Sequence, residues 1–475
     1  MPIINNNIPD NRFPYAFFFA AIIIRLSGFG TSAIWYDEAI SRFRAGLPLI
    51  NLITDFSFFQ KLNIWELVLR PFSHSSLWIL RLPSFICSIA SLYVAWLLME
   101  TLKFTKKQQI IAWLPLITLP GLIWMAQDAR YYSAISMLYM LGLLASLTRR
   151  IWLLVLVSIL LGYIHPVGMV YSIAYWCIFF IDSLQLKKLW LLLIVGLAWF
   201  PRLWDFHDAA NPVSESLSTV KTFWINNFDL YFIFKQTLLA ISADTLRSRF
   251  AVIVLAIVTI VIFMALFKMR ERSVRTISMA TILPLIGMLI ISIIWQPIYF
   301  YRTAQPFIPV LCLLVGLIIN PNKRWYSWIL PTFGIIILIV AIGNWDPTSR
   351  GGRLDDAAEF IKNNWQEGDI LYYGSGTAAL PFDYYLNGKP SYIIDAKLNL
   401  NITWPGIPFP SARLEDLEFS RAWVIFPQEP QIDSNDMTRL NSYTSNGTLI
   451  WRNETIHFAP IMVWLVNSDN FKFNQ

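Results

Sequence analysis

Apolar runs long enough to cross a bilayer recur through the first 344 residues, and the even-numbered ones end in clusters of lysine and arginine. A helix needs about 20 consecutive apolar residues to span the hydrocarbon core. Such runs lie near 13–33, 77–99, 109–126, 130–148, 151–165, 167–182, 188–203, 249–267, 277–296, 303–320 and 326–343. In lipid every backbone polar group must be satisfied internally, so runs of this kind become helices. The expectation is a polytopic α-helical membrane protein with about 11 transmembrane helices. Only 14% of the residues are charged and 56% are hydrophobic. That composition leaves too little polar surface for a soluble domain, where about a quarter of residues are charged. The first run leads into its loop without a small-residue cleavage site, so it reads as a retained span.

The basic clusters set the orientation. Lys103, Lys106 and Lys107 follow span two, Arg149 and Arg150 span four, and Lys187 and Lys188 span six. Lys268, Arg270, Arg272 and Arg275 follow span eight, and Lys323 and Arg324 span ten. Basic loops stay in the cytoplasm, so these segments and the polar tail 1–12 are assigned there. The odd-numbered junctions then share the outer face. They include a first outer loop, 34–76, and a second long outer loop, 204–248, which is expected to carry an interfacial helix. Residues 1–344 form the transmembrane part, and an odd number of spans leaves residues 345–475 outside.

That last stretch gains Asp, Asn, Gly and Pro and loses the long apolar runs. Leu354 to Trp365 has helical periodicity, with Asp355, Asp356 and Glu359 on its polar side. Ile370–Tyr373, Ser391–Asp395, Ala422–Phe426 and Thr448–Trp451 read as strands. A small C-terminal extracytoplasmic α/β domain is expected. Asn401, Asn446 and Asn453 lie in N-x-S/T triplets, which matter only in a eukaryotic source.

The net charge of +7 is spent on short loops between apolar runs, which argues against nucleic-acid binding. Cys87, Cys177 and Cys312 sit far apart within apolar runs, as small hydrophobes do, with no metal-binding spacing. The chain has no phosphate-cradling glycine loop, no Ser-His-Asp ordering and no regularly spaced polar residues of the kind that line a channel.

Chemistry concentrates at the outer junctions. Trp35-Tyr36-Asp37-Glu38-Ala39 follows span one, and ionisable groups at membrane depth mark function by default. On a helix Asp37 and Glu38 point about 100° apart, so one can act while the other orients a neighbour. Glu38 and Arg42 are four apart, which permits an ion pair. Asp128 and Tyr131 would share a helical face. Asp128 either acts or caps span four. Arg130 either grips phosphate with its guanidinium fork or snorkels to the interface. His165 before Pro166 is a helix-end hydrogen-bonding group or a catalyst. Arg302, within Tyr299-Phe300-Tyr301-Arg302 and followed by Gln305, grips an anionic headgroup or anchors its helix. Arg25, inside span one, is open to pairing with a loop carboxylate. His74, His207 and His457 have no supporting context.

Taken in order, these motifs resemble the GT-C membrane glycosyltransferases, closest to the protein O-mannosyltransferase-like and aminoarabinose-transferase-like families (glycosyltransferase families 39 and 83). The resemblance rests on Trp35–Ala39, Leu80-Arg81-Leu82-Pro83-Ser84, Asp128-Ala129-Arg130-Tyr131-Tyr132, His165, and Tyr301-Arg302 leading to Pro309. The tail adds Asp355–Asp369 and Asp383-Tyr384-Tyr385-Leu386. Many relatives carry a His-Pro-Pro segment in the first loop, where this chain reads Gln60-Lys61-Leu62-Asn63-Ile64-Trp65-Glu66.

The resemblance implies transfer of a sugar from a polyprenyl-phosphate donor to a lipid, glycan or protein acceptor on the outer face of a plasma or inner membrane. It implies Asp37, Glu38 and Asp128 as catalytic residues, with Asp37 the general base. Arg130, Tyr131, His165, Arg302 and Gln305 would bind substrate. Some members use a divalent metal, which Asp37, Glu38 and Asp128 would then ligate. A second class stays open: a non-catalytic lipid-linked glycan transporter, or a scaffold for an envelope complex. A transporter would place ionisable groups near mid-membrane on several helices, and Arg25 is the one such candidate.

Overall fold

The computed structural model describes residues 14–54, 63–183, 186–210, 230–242, 268–294, 298–318, 353–374, 376–394, 409–427, 434–445, 447–452 and 461–468. The first helix, α1 (Tyr15–Leu26), stops at a turn in which Gly28 and Gly30 have φ of 72° and 82°. This left-handed region suits glycine. A Cβ on Gly30 would also lie 2.8 Å from that of Trp78, so the turn sits tight against the following helical layer. Span one is thus shorter than the expected 13–33, because Phe29 N–H bonds to Leu26 O and closes the turn.

Three short helices then fill the first loop: α2 (Tyr36–Gly46), α3 (Leu49–Thr54) and α4 (Ile64–Leu69). Seven helices follow: α5 (Leu77–Thr101), α6 (Lys106–Thr118), α7 (Pro120–Ala126), α8 (Tyr132–Leu147), α9 (Ile151–Ile164), α10 (Pro166–Ser183) and α11 (Trp190–Ala210). After them come α12 (Leu230–Ser242), α13 (Arg272–Ile294), α14 (Tyr301–Ala304) and, past a 3-10 turn at Gln305–Phe307, α15 (Ile308–Ile318).

The third expected span is a pair, α6 and α7, bent by 59°. Pro120 lacks an N–H and disfavours helical geometry in the residue before it. Leu119 accordingly takes an extended ψ of 123°, and Pro120 restarts the chain as the first residue of α7. α7 then packs closely on α12: a Cβ on Gly121 would lie 2.0 Å from Ala240 O. Small residues permit this kind of backbone approach in membrane helices.

The interior of the bundle is rich in buried Tyr and Trp, among them Trp113, Tyr139, Tyr171 and Tyr175. The tyrosine hydroxyls are tied across helices. Ser158 Oγ bonds Tyr175 Oη at 2.8 Å and accepts from Trp176 Nε1 at 2.9 Å. The outer surface is apolar: Trp152, Leu197, Ile293 and Ile294 are each more than half exposed. Contiguous exposed apolar surface marks contact with a membrane or a partner.

Three described helical segments, Leu77–Thr101, Arg272–Ile294 and Tyr301–Ile318, are long and apolar enough to cross a membrane, and a fourth if the bent pair is one span. Expected spans one, four, five, six and seven appear as apolar helical segments of 10–17 residues, the last two being Pro166–Ile181 and Trp190–Leu203 within α10 and α11. Spans eight and eleven, Lys323, Arg324, the tail 1–12, Asn401, Asn446, Asn453 and His457 lie outside the described residues. α11 runs on to Ala210, so the second long loop begins later than residue 204, and its helix is α12.

Past the bundle, six strands form one sheet: β1 (Asp369–Tyr373), β2 (Ser391–Ile394), β3 (Ser411–Ala412), β4 (Arg421–Pro427), β5 (Thr448–Arg452) and β6 (Ile461–Asn467). Their order is β3-β2-β1-β4-β6-β5. β1 pairs parallel with β2 and β4, while β6 runs antiparallel to β4 and β5. β1 is buried along its whole length, as a central parallel strand is. Helices α16 (Leu354–Asn363), α17 (Gly376–Leu386) and α18 (Ser434–Thr444) complete the unit. α16 buries Leu354, Ala357, Ala358 and Ile361, the spacing of one helical face.

β1 opens on an anchored carboxylate. Asp369 accepts from Arg421 at 2.8 and 2.7 Å, from Gln366 N–H at 2.9 Å and from Trp423 Nε1 at 3.0 Å. Burial acts to raise this carboxyl, but the bonds from Arg421, Gln366 and Trp423 outweigh it and hold it below the usual carboxylate range. β3 and β6 escaped sequence reading. β3 is only two residues long. Ile461–Val466 is a continuous apolar run of strand length, a signal that was legible.

Candidate active site

Asp37 and Glu38 occupy the first turn of α2, where the positive end of the helix dipole favours anions. They diverge as adjacent helical residues must. Glu38 is fully buried. Its Oε1 accepts from Arg81 Nε at 2.7 Å and from Ala129 N–H at 2.8 Å, and its Oε2 from Arg81 Nη2 at 2.6 Å. Arg81 also donates to Ser32 O at 3.1 Å and Ala33 O at 3.3 Å. One bidentate pair thereby ties α2, the segment before it, α5 and the turn after α7. The Glu38–Arg42 pair that the spacing permits does not form, because Arg81 takes the carboxylate; Arg42 instead lies 4.7 Å over the Tyr384 ring.

Asp37 turns the other way and forms an ion pair with Arg302. The two side chains keep 16% and 11% of their surface exposed, so this pair meets solvent where Glu38 does not. Arg302 lies 4.1 Å over the Trp35 ring and donates to Tyr301 Oη at 2.6 Å. Trp35 in turn donates through Nε1 to Asp128 Oδ1 at 3.1 Å.

Asp128 neither caps α8 nor shares a helical face with Tyr131. Residues 127–131 form a turn, and α8 begins only at Tyr132. Through that turn Arg130 reaches back to α2, donating to Asp37 O at 3.2 Å and Ser41 Oγ at 2.6 Å. Tyr131 stacks on His165 with centroids 4.5 Å apart, and His165 Nδ1 accepts from Val167 N–H at 3.2 Å. Gln305 is buried one turn beyond Arg302, with its Nε2 lacking a hydrogen-bond partner. A buried, unsatisfied amide N–H2 is costly unless a ligand meets it.

Asp37, Glu38, Asp128, Arg130, Tyr131, His165 and Arg302 therefore form one connected set. Sequence reasoning singled out these seven but did not find their partners. Arg81 entered only through its motif, and Arg44, Glu66 and Arg202 were missed. Arg44 Nε lies 3.1 Å from Glu66 Oε2. Burial pushes the Glu66 carboxyl up, while the charges of Arg44, Arg130 and Arg202 pull it down. Charged residues inside apolar runs were the available signal for Arg81 and Arg202. In the described part of the cluster, guanidinium groups at 44, 81, 130, 202 and 302 lie among carboxylates at 37, 38, 66 and 128.

Asp37, Glu38 and Asp128, the residues that would ligate a metal if one were used, do not converge on a common point. Asp37, Glu38 and Asp128 turn to Arg302, Arg81 and Trp35, and no three His, Cys, Asp or Glu side chains among the described residues are placed to hold a metal ion. Among the described residues Arg25 pairs with no carboxylate. It donates to Ser88 Oγ at 3.0 Å, Leu116 O at 2.9 Å and Ala21 O at 3.3 Å.

An apolar helical bundle carrying its polar cluster at the junctions, followed by a mixed sheet, is an architecture shared with a solved structure. Among solved structures, the chain is similar to the crystal structure of ArnT from Cupriavidus metallidurans in the apo state, with a TM-score of 0.61 and 12% identity. The match covers 96% of this chain and 98% of that one, so the likeness of fold extends over both chains nearly end to end. No protein-family model matches the chain, and no curated protein matches it in sequence.

Proposed function

We propose that this chain is an integral, multi-pass membrane glycosyltransferase. It transfers a sugar from a polyprenyl-phosphate donor to an acceptor hydroxyl on the outer face, with residues 345–475 as an extracytoplasmic α/β domain. The Asp37–Arg302 ion pair carries this reading. It sets a carboxylate beside a guanidinium at the solvent-accessible part of the cluster, next to Arg130.

In this mechanism the donor phosphate engages Arg302 and releases the Asp37 carboxylate. Asp37 then takes the proton from the acceptor hydroxyl as its oxygen attacks the anomeric carbon. The bond from that carbon to the phosphate oxygen breaks, and its electron pair leaves on the lipid phosphate. Arg302 and Arg130 stabilise the charge that develops there. Glu38, saturated by Arg81 and Ala129 N–H, orients α2, and Asp128 holds Trp35 beneath Arg302.

The test is transfer of labelled sugar from polyprenyl-phosphate donors by purified protein. Asp37→Asn, shown to be folded, is expected to lose at least about 100-fold in kcat, the lower range for a general base. Full activity in that variant removes Asp37 as the base. Flux of lipid-linked glycan across liposomes with no transfer product overturns the enzyme reading.

A further inference from the structure

The backbone just before Asp37 is held from a distant part of the chain. Ile34 is fully buried, and its N–H donates to Tyr385 Oη at 2.9 Å across 351 residues. Tyr385 lies on α17, which packs against α2. Its neighbour Tyr384 stacks edge-on against it, with centroids 4.9 Å apart, and receives the Arg42 guanidinium on its face at 4.7 Å. Asp383, one residue earlier, faces the same Arg42 charge. The Asp383-Tyr384-Tyr385 run thus grips both the start of α2 and its second turn.

Residues 32–35 are fixed from three directions. Arg81 binds Ser32 O and Ala33 O, Tyr385 binds Ile34 N–H, and Asp128 binds the Trp35 indole. Two of these contacts come from the helical bundle and one from the α/β unit. Trp35 is the platform under Arg302, and Asp37 is two residues further on.

We infer that Tyr385 is a positioning residue for the transfer reaction: its hydroxyl, presented by the C-terminal α/β unit, fixes the Ile34–Asp37 backbone and so sets Asp37 against Arg302. The inference rests on the glycosyltransferase reading of the site. It makes the α/β unit part of the catalytic apparatus through a contact to the backbone rather than to the reacting groups. Misplacement of a reacting group by about 1 Å costs on the order of 100-fold in rate.

Two measurements on the full-length protein test it. Tyr385→Phe removes one oxygen and keeps the ring. It is expected to lower kcat about 10- to 100-fold at unchanged donor KM, because binding groups stay while the base shifts. Tyr392→Phe, on β2 and away from α2, is expected to keep wild-type kcat. Hydrogen exchange of the Ile34 amide is expected to speed up at least about 10-fold in Tyr385→Phe and not in Tyr392→Phe. Wild-type kcat in Tyr385→Phe, or a loss that scales only with the folded fraction, overturns the positioning role. Unchanged Ile34 exchange overturns the contact itself. A wild-type protein that transfers no sugar fails the parent reading instead, and the exchange result still decides the docking.

Discussion

At the scale of single residues, three carboxylates of the site sit against guanidinium groups: Glu38 against Arg81, Asp37 against Arg302 and Glu66 against Arg44. The Glu38–Arg81 pair is the most buried, and both its partners are fully enclosed. Removing one member of such a pair leaves an uncompensated charge, at a cost of about 3–5 kcal/mol. Glu38→Gln is therefore expected to lower the unfolding midpoint of the detergent-solubilised protein sharply. Glu38→Gln combined with Arg81→Met is expected to recover much of that loss. A double variant no more stable than the single one would show that the pair is not the source of the effect. Sequence distinguished Asp37 from Glu38 only by their roughly 100° divergence. Which of the two would be sealed depended on Arg81, 43 residues away on α5.

At the scale of elements, local rules explain the breaks well. Pro120 sets the bend between α6 and α7, and Gly28 and Gly30 end α1. The same rules located α16 and four of the six strands. They did not locate α17 as a helix, since Pro381 lies inside it and its apolar residues follow no clear stripe. The β1–β4 junction yields a pH prediction. Asp369 titrates lower in the folded chain than its unfolded value near 4. Its stabilisation is therefore complete above that unfolded value and is lost as pH falls through the folded one. Amides of β1 and β4 are expected to lose exchange protection on acidification. Asp369→Asn is expected to lower protection already at pH 7 and to flatten that acid dependence. Identical acid profiles in the two proteins would contradict the assignment.

At the scale of the whole molecule, the reading requires the bundle to place its basic loops on one side of the membrane and the sheet on the other. Asn387, next to α17, and Lys106, at the start of α6, are both exposed. Cysteines introduced at these two positions, with the native cysteines replaced, are expected to react with a membrane-impermeant reagent from opposite faces. Position 387 should label from outside in intact cells, and position 106 only after the membrane is opened. Labelling of both from the same face would invert or dissolve the proposed topology.

The amino-acid order alone fixed the apolar helical character, the concentration of ionisable groups at the helix junctions and most of the secondary structure. Each of these depends on hydropathy or periodicity within a window of about 20 residues. The tertiary structure alone decided the partners: Arg302 for Asp37 across 265 residues, Arg81 for Glu38, Trp35 for Asp128 and Tyr385 for Ile34. A carboxylate's role follows from which cation reaches it and how much water remains. Both are settled by the packing of helices that no local pattern brings together.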